Sequence, residues 1–364
     1  MKGRFPFMPA SGTPAQAAQK RRIWPGASAA GKSRRRETGD ELALEAYSLA
    51  LHSYRVVFSE EPASFRRVSV LIPCFGKAAW LEECVRSVLA QTKPADNICI
   101  LLMDRKSRRM KAGLEALSPA VRCICSERLG VCRARNVLAQ NCPTEFFVFL
   151  DADDTLAPDF LEKTSARRAD FVFSSCRILE NGIIRERVEL PSDLPCPFLC
   201  NNLTGIFRKR AFFALGALDP AFEETGREDT DFLLSVAEGR CSVAFVPDTF
   251  YCIRRDTRSR RWLSSSFIYS DNFRKNERRS ADRILQKHRA AVCANFARNA
   301  AVSPEPENRR KLLLQRYAET GDPAFLHTLS EEICEREFPE TSSGFASSAQ
   351  MPFSSSAQKS KTQK

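Results

Sequence analysis

The chain has 364 residues, 43% of them hydrophobic and 27% charged, which supplies a sizeable core for one large domain or two modest ones. No apolar run approaches the roughly 20 residues that cross a bilayer. Residues 1–36 also lack an apolar block of the length a secretory signal needs. The fourteen cysteines are scattered singly, several of them in apolar runs (Cys99, Cys176, Cys241), so reduced thiols in a cytoplasm are expected rather than disulfides.

The net charge of +12 is concentrated at the ends of the chain. Residues 1–36 carry nine Lys or Arg and no acid, in a background of Ala, Pro, Ser and Gly, and residues 1–40 are expected to form a disordered basic tail. A solvated tail is expected rather than one bound to nucleic acid or anionic lipid. Within it, "GASAAGKS" (26–33) satisfies the phosphate-loop pattern letter for letter. That loop works only between a buried strand and a helix N-terminus, and neither "RRIWP" before it nor "RRRETGD" after it fits. The match is read as accidental.

Residues 41–58 are expected to form a helix packed on the core. From residue 68 strand and helix patterns alternate. "VSVLIP" (68–73) is a continuous β-branched run and reads as a buried strand. Leu81, Val85, Val88 and Leu89 then recur at helical spacing, with Pro94 closing the unit. "NICILLM" (97–103) predicts a second strand and "SRRMKAGLEAL" (107–117) a second helix. "VRCICS" (121–126), "GVCRARNVLAQ" (130–140) and "EFFVFL" (145–150) continue as strand, helix, strand. Short joints between such units predict a mostly parallel α/β sheet flanked by helices.

Ligands of such sheets bind beyond the carboxyl ends of the strands. Asp104 follows the second strand, and Asp151, Asp153 and Asp154 follow the fourth, so the chain delivers acids to one crevice. In extended backbone Asp151 and Asp153 face the same way. Two convergent carboxylates suit a hard divalent cation that takes substrate phosphates as further ligands. Helix capping ahead of "LAPDFLEK" is the competing reading, with Asp154 the expected cap, and both can hold at once.

Five segments then occur in an order that resembles family 2 glycosyltransferases of the GT-A fold. They are "VSVLIPCFGKAAWLEECVRSVLAQ", "LLMDRKS", "ERLGVCRARNVL", "FVFLDADDTLAPDFLE" and "GREDTDFLLSV", and they fall within residues 68–262. The resemblance implies an inverting, metal-dependent enzyme that moves a sugar from a nucleotide-diphosphate donor, a UDP-sugar above all, to an acceptor hydroxyl. It implies Mn2+ or Mg2+ as cofactor, held by Asp153 directly, with Asp151 at the ribose or the metal's water shell and Asp256 near a position where the family often has His. It implies Asp229, of the pair Glu228-Asp229, as the base. Pro73, Cys74, Phe75, Asp104, Arg135, Asp151, Arg254 and Arg255 are the implied donor-binding residues, with Arg254 or Arg255 neutralising the leaving phosphate.

The three histidines (His52, His288, His327) lie outside 68–262, so a carboxylate base is expected in the core rather than a histidine. Two departures stand out: "DRKS" replaces an Asp-Asp-Gly-Ser turn, leaving Asp104 alone, and Gly76 replaces a polar residue. The expected organisation is a tail (1–40), a helix and linker (41–66), a GT-A domain (67–262), a helical extension (263–340) and a second disordered tail (341–364). The extension is basic and amphipathic, which fits either a membrane surface or a cover for the core. The acceptor implied is a sugar, a glycan or a lipid-linked sugar in bacterial-type surface polysaccharide or glycolipid assembly, at the inner membrane face. The alternative is a degenerate GT-A domain that binds a nucleotide sugar or glycan without turnover. No basic-aromatic stripe suggests nucleic acid.

Overall fold

The computed structural model describes residues 39–54, 58–180, 183–188, 203, 205–239, 241–255, 271–302 and 309–337. The "GASAAGKS" segment, residues 1–38 of the expected tail and the C-terminal tail lie outside them, while Gly39 and Asp40, expected in the tail, open a helix. The first helix, α1 (Gly39–Leu51), buries Leu42, Ala43, Ala46, Tyr47 and Ala50, a spacing that puts one continuous stripe on the core. It ends seven residues before the expected limit of 58.

The alternating region follows the predicted order: β1 (Val68–Cys74), α2 (Ala78–Leu89), β2 (Asn97–Leu102), α3 (Arg105–Arg109), α4 (Lys111–Glu115), β3 (Val121–Cys125), α5 (Val131–Gln140) and β4 (Phe146–Phe149). The single helix expected over 107–117 is instead two short ones. Asp104 caps the first by accepting from the backbone N–H groups of Lys106 and Ser107, so a helix starts earlier than the apolar spacing shows. Leu89, expected on the buried face of α2, is exposed.

Beyond β4 come β5 (Thr155–Leu156), α6 (Phe160–Ser165), β6 (Phe171–Glu180), β7 (Ile183–Val188), β8 (Gly205–Arg208), α7 (Lys209–Ala214), α8 (Glu228–Glu238) and β9 (Val243–Arg255). Among the described residues nine strands join one sheet, in the order β3-β2-β1-β4-β8-β6-β9-β5, with β7 paired to β6. The half read from sequence, β3-β2-β1-β4, is parallel. In the other half β8 is antiparallel to both β4 and β6, β5 is antiparallel to β9, and β6 runs parallel to β9. The sheet is therefore mixed.

Both faces are covered, as continuous apolar strands require. Val68, Val70, Ile72, Phe146, Val148 and Leu150 point to the face packed by Leu81, Val85 and Val88 of α2 and by Phe160 and Leu161 of α6. Leu71, Phe147 and Phe149 point to the other, where Phe171, Phe173, Phe207, Phe212 and Phe232 complete a ring cluster. Phe147 stacks on Phe207 at 5.8 Å and meets Phe212 edge-on at 5.4 Å.

The C-terminal helices α9 (Asp271–Lys287), α10 (Arg289–Val302), α11 (Arg309–Thr320) and α12 (Ala324–Glu337) close over this second face. Ile284, Leu285, Val292, Phe296, Leu314 and Tyr317 belong to the same hydrophobic cluster as Phe232 and Leu233 of α8. The cover reading of the extension therefore accounts for its apolar stripe. Several of its bases have partners in the chain: Lys287 pairs with Asp231 at 2.7 Å, and Arg283 donates to the Ala221 carbonyl. No helix among the described residues is long and apolar enough to cross a membrane.

The packing of α9 buries one of the histidines that lie outside 68–262. His288, separated in sequence, is buried against α8, with Nε2 3.0 Å from Asp231 and Nδ1 2.8 Å from Glu238. Burial pushes its pKa down, but the two carboxylates win and raise it from 6.5 to about 8. A folded pKa above the unfolded one contributes stability that is complete below about pH 6.5 and lost as pH rises through about 8. The shift corresponds to ~2 kcal/mol. Unfolding free energies from urea titrations at pH 6 and pH 9 should differ by about that amount in wild type, and the difference should shrink in His288→Gln. An equal fall in the variant would assign the pH dependence to another group.

Candidate functional site

The parallel register brings three strand ends side by side. Cys74 of β1 pairs with Leu102 of β2, Leu71 pairs with Phe149 of β4, and the Leu150 N–H donates to the Leu71 carbonyl. The segments that follow, 75–77, 103–107 and 150–154, thus leave the sheet together. They are tied across: Gly76 donates its N–H to Asp104 Oδ2 at 2.9 Å, and Lys77 forms an ion pair with Asp153. Gly76 has φ +70°, a left-handed conformation in which a side chain is strained, so the departure at this position has a backbone reason.

Each acid of the knot has its own compensation. The chain turns at 151–154, the Asp154 N–H donating to the Asp151 carbonyl, so Asp151 and Asp153 do not share the extended face expected of them. Asp151 Oδ1 accepts from Arg135 Nη2 at 2.7 Å, and Asp153 is held by Lys77. Asp154 is buried, and it is not the predicted cap: the next helix starts at Phe160, six residues on, with Asp159 before it. Instead Asp154 Oδ1 accepts the Arg254 backbone N–H at 2.8 Å and its carboxyl meets the Tyr251 hydroxyl, which stitches the turn to β9. Burial first, then the charges of Asp151 and Asp153, push its pKa well above the carboxylate range. Tyr251, also buried, accepts the Asp151 N–H at 2.9 Å.

Arg135 connects this turn to the Glu-Asp pair. It lies on the buried face of α5 with Leu138 and Ala139, and while Nη2 holds Asp151, Nη1 donates to Glu228 Oε1 at 3.1 Å. Burial opposes its charge, but Asp151 and Glu228 raise its pKa overall. Glu228 opens α8. Burial and the neighbouring Asp229 raise its pKa, while Arg135 opposes the rise. Asp229 is partly exposed, and its Oδ1 accepts the Thr230 N–H at 2.7 Å. Asp231, its neighbour in "EDTDF", is buried between Lys287 and His288 and faces the core rather than the crevice.

The structure brings most of the named residues to this edge. Phe75 is 43% exposed, with the Arg128 guanidinium 4.6 Å over its ring. Pro73 and Cys74 lie in β1, and burial raises the Cys74 thiol to about 11, aided by Asp104, which leaves it protonated. For Asp104 burial is outweighed by hydrogen bonds from Ser107, Gly76 and Lys106, which hold its carboxyl below the usual range. Arg254 wraps the turn: Nε donates to the Asp153 carbonyl at 2.9 Å and Nη2 meets Glu83 at 2.5 Å. Asp256 and the side chain of Arg255 lie outside the described residues. Lys77, Arg128, Glu83 and Tyr251 escaped the sequence reading; only their tertiary partners mark them.

Gly130 and Asn136 of the Ala-Arg-Asn segment have structural roles. A Cβ at Gly130 would meet the Glu223 carboxylate at 2.1 Å, and that carboxylate accepts the Arg133 N–H of α5 at 2.9 Å. Asn136 clamps Leu218, donating to its carbonyl and accepting its N–H. Both fix α5, and with it Arg135.

Among the described residues no group of three or more His, Cys, Asp or Glu is placed to hold a metal ion. Asp151 and Asp153 nonetheless fit a hard cation. Both are oxygen donors on one turn at the ligand edge of the sheet, and two carboxylates completed by phosphate and water are a common set for Mg2+.

Removing Arg135 leaves Glu228 buried beside Asp229 with no cation. Arg135→Met should lose about 3–5 kcal/mol in urea unfolding, the cost of breaking a buried pair by removing one partner. Adding Glu228→Gln should recover part of it. A loss below about 1 kcal/mol would mean that the bridge is solvent-screened.

Residues 69–170 match the family model described as "Glycosyl transferase family 2". An uncharacterized glycosyltransferase of Haemophilus influenzae is 24% identical over 187 residues, covering 47% of this chain and 62% of that protein. The chain thus spans less than two thirds of that relative. Among solved structures, S. aureus TarS 1–349 in complex with UDP-GlcNAc is 15% identical, covers 74% of this chain and 92% of its own, and superposes with a TM-score of 0.50. The mannosyltransferase PcManGT of Pyrobaculum calidifontis, in complex with GDP-Man and Mn2+, is also 15% identical, covering 83% of this chain and 100% of its own at a TM-score of 0.45. At such identities a solved structure speaks to the fold. The family resemblance is borne out by that match, which spans four of the five motifs and stops short of "GREDTDFLLSV", and the fold is of the GT-A type.

Proposed function

We propose that this chain is an inverting glycosyltransferase that moves a sugar from a nucleotide-diphosphate donor to an acceptor hydroxyl. The observation that supports the reading is the Arg135 bridge, in which one guanidinium pairs with Asp151 of the D-x-D turn and with Glu228 of the Glu228-Asp229 pair. In the proposed reaction the acceptor oxygen attacks the anomeric carbon and the bond to the diphosphate oxygen breaks. The acceptor proton passes to Asp229, and the nucleoside diphosphate leaves with the electron pair.

Asp153 and Asp151 would hold a divalent cation, Mn2+ or Mg2+, which when bound supplies Lewis-acid stabilisation of the leaving diphosphate. Asp229 stands at the start of α8, where the helix amides favour a carboxylate. Arg254 lies against the turn and adds positive charge beside the diphosphate. A UDP-sugar is the donor class to test first, since TarS, with the same fold, is seen with UDP-GlcNAc. The setting we propose, surface polysaccharide or glycolipid assembly at the cytoplasmic face of a membrane, rests on the family resemblance alone.

One observation favours a second reading, a domain that binds a nucleotide sugar without turnover. Asp104 is occupied by capping bonds, and Lys77 already holds Asp153. A panel of UDP- and GDP-sugars, screened with Mn2+ for hydrolysis and for thermal stabilisation, separates the two. Binding without turnover by wild type across a broad acceptor panel favours the binding module.

Asp153→Ala should abolish Mn2+-dependent binding of UDP, measured by calorimetry, while the fold survives. Binding equal to wild type would remove Asp153 as the ligand. Asp229→Asn keeps size and shape but cannot accept a proton. Its donor and metal affinity should stay near wild type while turnover falls by about 10²–10⁴-fold. Unchanged turnover would remove Asp229 and leave Glu228 as the candidate base.

A further inference from the structure

The chain enters α8 through two consecutive left-handed residues, Gly226 at φ +81° and Arg227 at φ +73°. An arginine rarely adopts that conformation unless its surroundings enforce it. Here they do. The Arg227 guanidinium is forked onto Glu277 of α9, with Nε 3.1 Å from Oε2 and Nη2 bonded to the same oxygen. The Glu277 side chain is only 13% exposed, so solvent and salt screen the pair weakly. One turn further along α9, Ser280 donates to the Gly226 carbonyl at 3.1 Å. The two residues that set the path into α8 are thus each fixed by the C-terminal extension, which the family 2 match over 69–170 does not include.

The next residues are Glu228 and Asp229. Because the Asp229 carboxylate is folded back on the Thr230 N–H, its direction follows the first turn of α8 rather than a free rotamer. We infer that Glu277, acting through Arg227, is a positioning residue for the Glu228-Asp229 pair, so the extension belongs to the transferase machinery. The inference rests on the glycosyltransferase reading, in which Asp229 takes the acceptor proton. The ion pair itself touches neither donor nor acceptor; it sets where the carboxylate stands. A base displaced by about 1 Å costs on the order of 10²-fold in rate while leaving ground-state binding nearly intact.

The test is a double-mutant cycle on the full chain, using Mn2+-dependent hydrolysis of whichever UDP- or GDP-sugar wild type turns over best. Arg227→Gly permits the left-handed turn but removes the guanidinium, and Glu277→Gln removes the charge of its partner. Each should lower kcat by about tenfold or more, with donor KM within about twofold and circular dichroism unchanged. The double variant should fall no further than the worse single, because the two residues act as one unit. Wild-type kcat in a folded Glu277→Gln overturns the inference, as do multiplying losses or a KM that rises in step with the fall in kcat. If Glu277→Gln does not fold, Glu277→Asp, which keeps the charge at shorter reach, enters the cycle in its place and is read by the same criteria. Wild type that hydrolyses no donor in the panel sinks the glycosyltransferase reading, and this inference with it. Wild-type turnover with unaffected variants sinks only the positioning role.

Discussion

The Arg135 guanidinium, buried between Asp151 and Glu228, is the interaction on which the candidate site depends. A buried cation is tolerated only when its charge is matched, and both Nη groups of Arg135 are used while its Nε has no hydrogen-bond partner. Here the matching carboxylates come from segments 77 residues apart in sequence. One is the acid that follows the central strand β4, and the other opens α8. Helix α5 supplies the cation between them, and its start is set by Glu223 and its middle by the Asn136 clamp on Leu218. The site is therefore assembled from three pieces of chain through one side chain.

The parallel half of the fold was legible because its strands are continuous apolar runs and its helices carry clear stripes. Val68 to Ile72 and Phe146 to Leu150 leave no polar face on which a different element could be built. The mixed half was not. β8 has four residues, β5 has two, and β6 runs from Phe171-Val172-Phe173 into two serines, a cysteine and an arginine. Pairing across the sheet, rather than local pattern, decides that these segments are strands. The split of 107–117 into two helices has a similar cause, since the cap at Asp104 overrides the apolar spacing.

The candidate site was legible in its acids and in Arg135 and Arg254, and not in Lys77. Aspartates directly after a buried strand are conspicuous, because a strand end is where ligands meet this kind of sheet. Lys77 is 76 residues from Asp153 and resembles any surface lysine in the text. The misreading of Asp154 as a cap is instructive. Both a cap and a buried staple place an acid before an apolar segment, and only the pairing of β5 with β9 separates them. The burial of His288 was not legible for a similar reason: distance in sequence says nothing about which helix closes over a core. The extension also shares a hydrophobic cluster with α1 and α8, so the apolar face of the sheet is complete only with all of them.

Three like charges on one turn raise the question of what keeps the turn in place. Each answer ties it to a different element: Asp151 to α5 through Arg135, Asp153 to Lys77 at the head of α2, and Asp154 to β9 through the Arg254 backbone and Tyr251. The acids are not equivalent. The third is the buried one: burial first, and then repulsion from the other two, raises its pKa, and it serves as a hydrogen-bonding staple to β9. Asp151 and Asp153, both only partly exposed, keep their own cationic partners, Arg135 and Lys77. The same repulsion that makes the sequence look unstable thus divides the labour among its aspartates. Asp154 holds the turn while Asp151 and Asp153 face whatever the crevice receives.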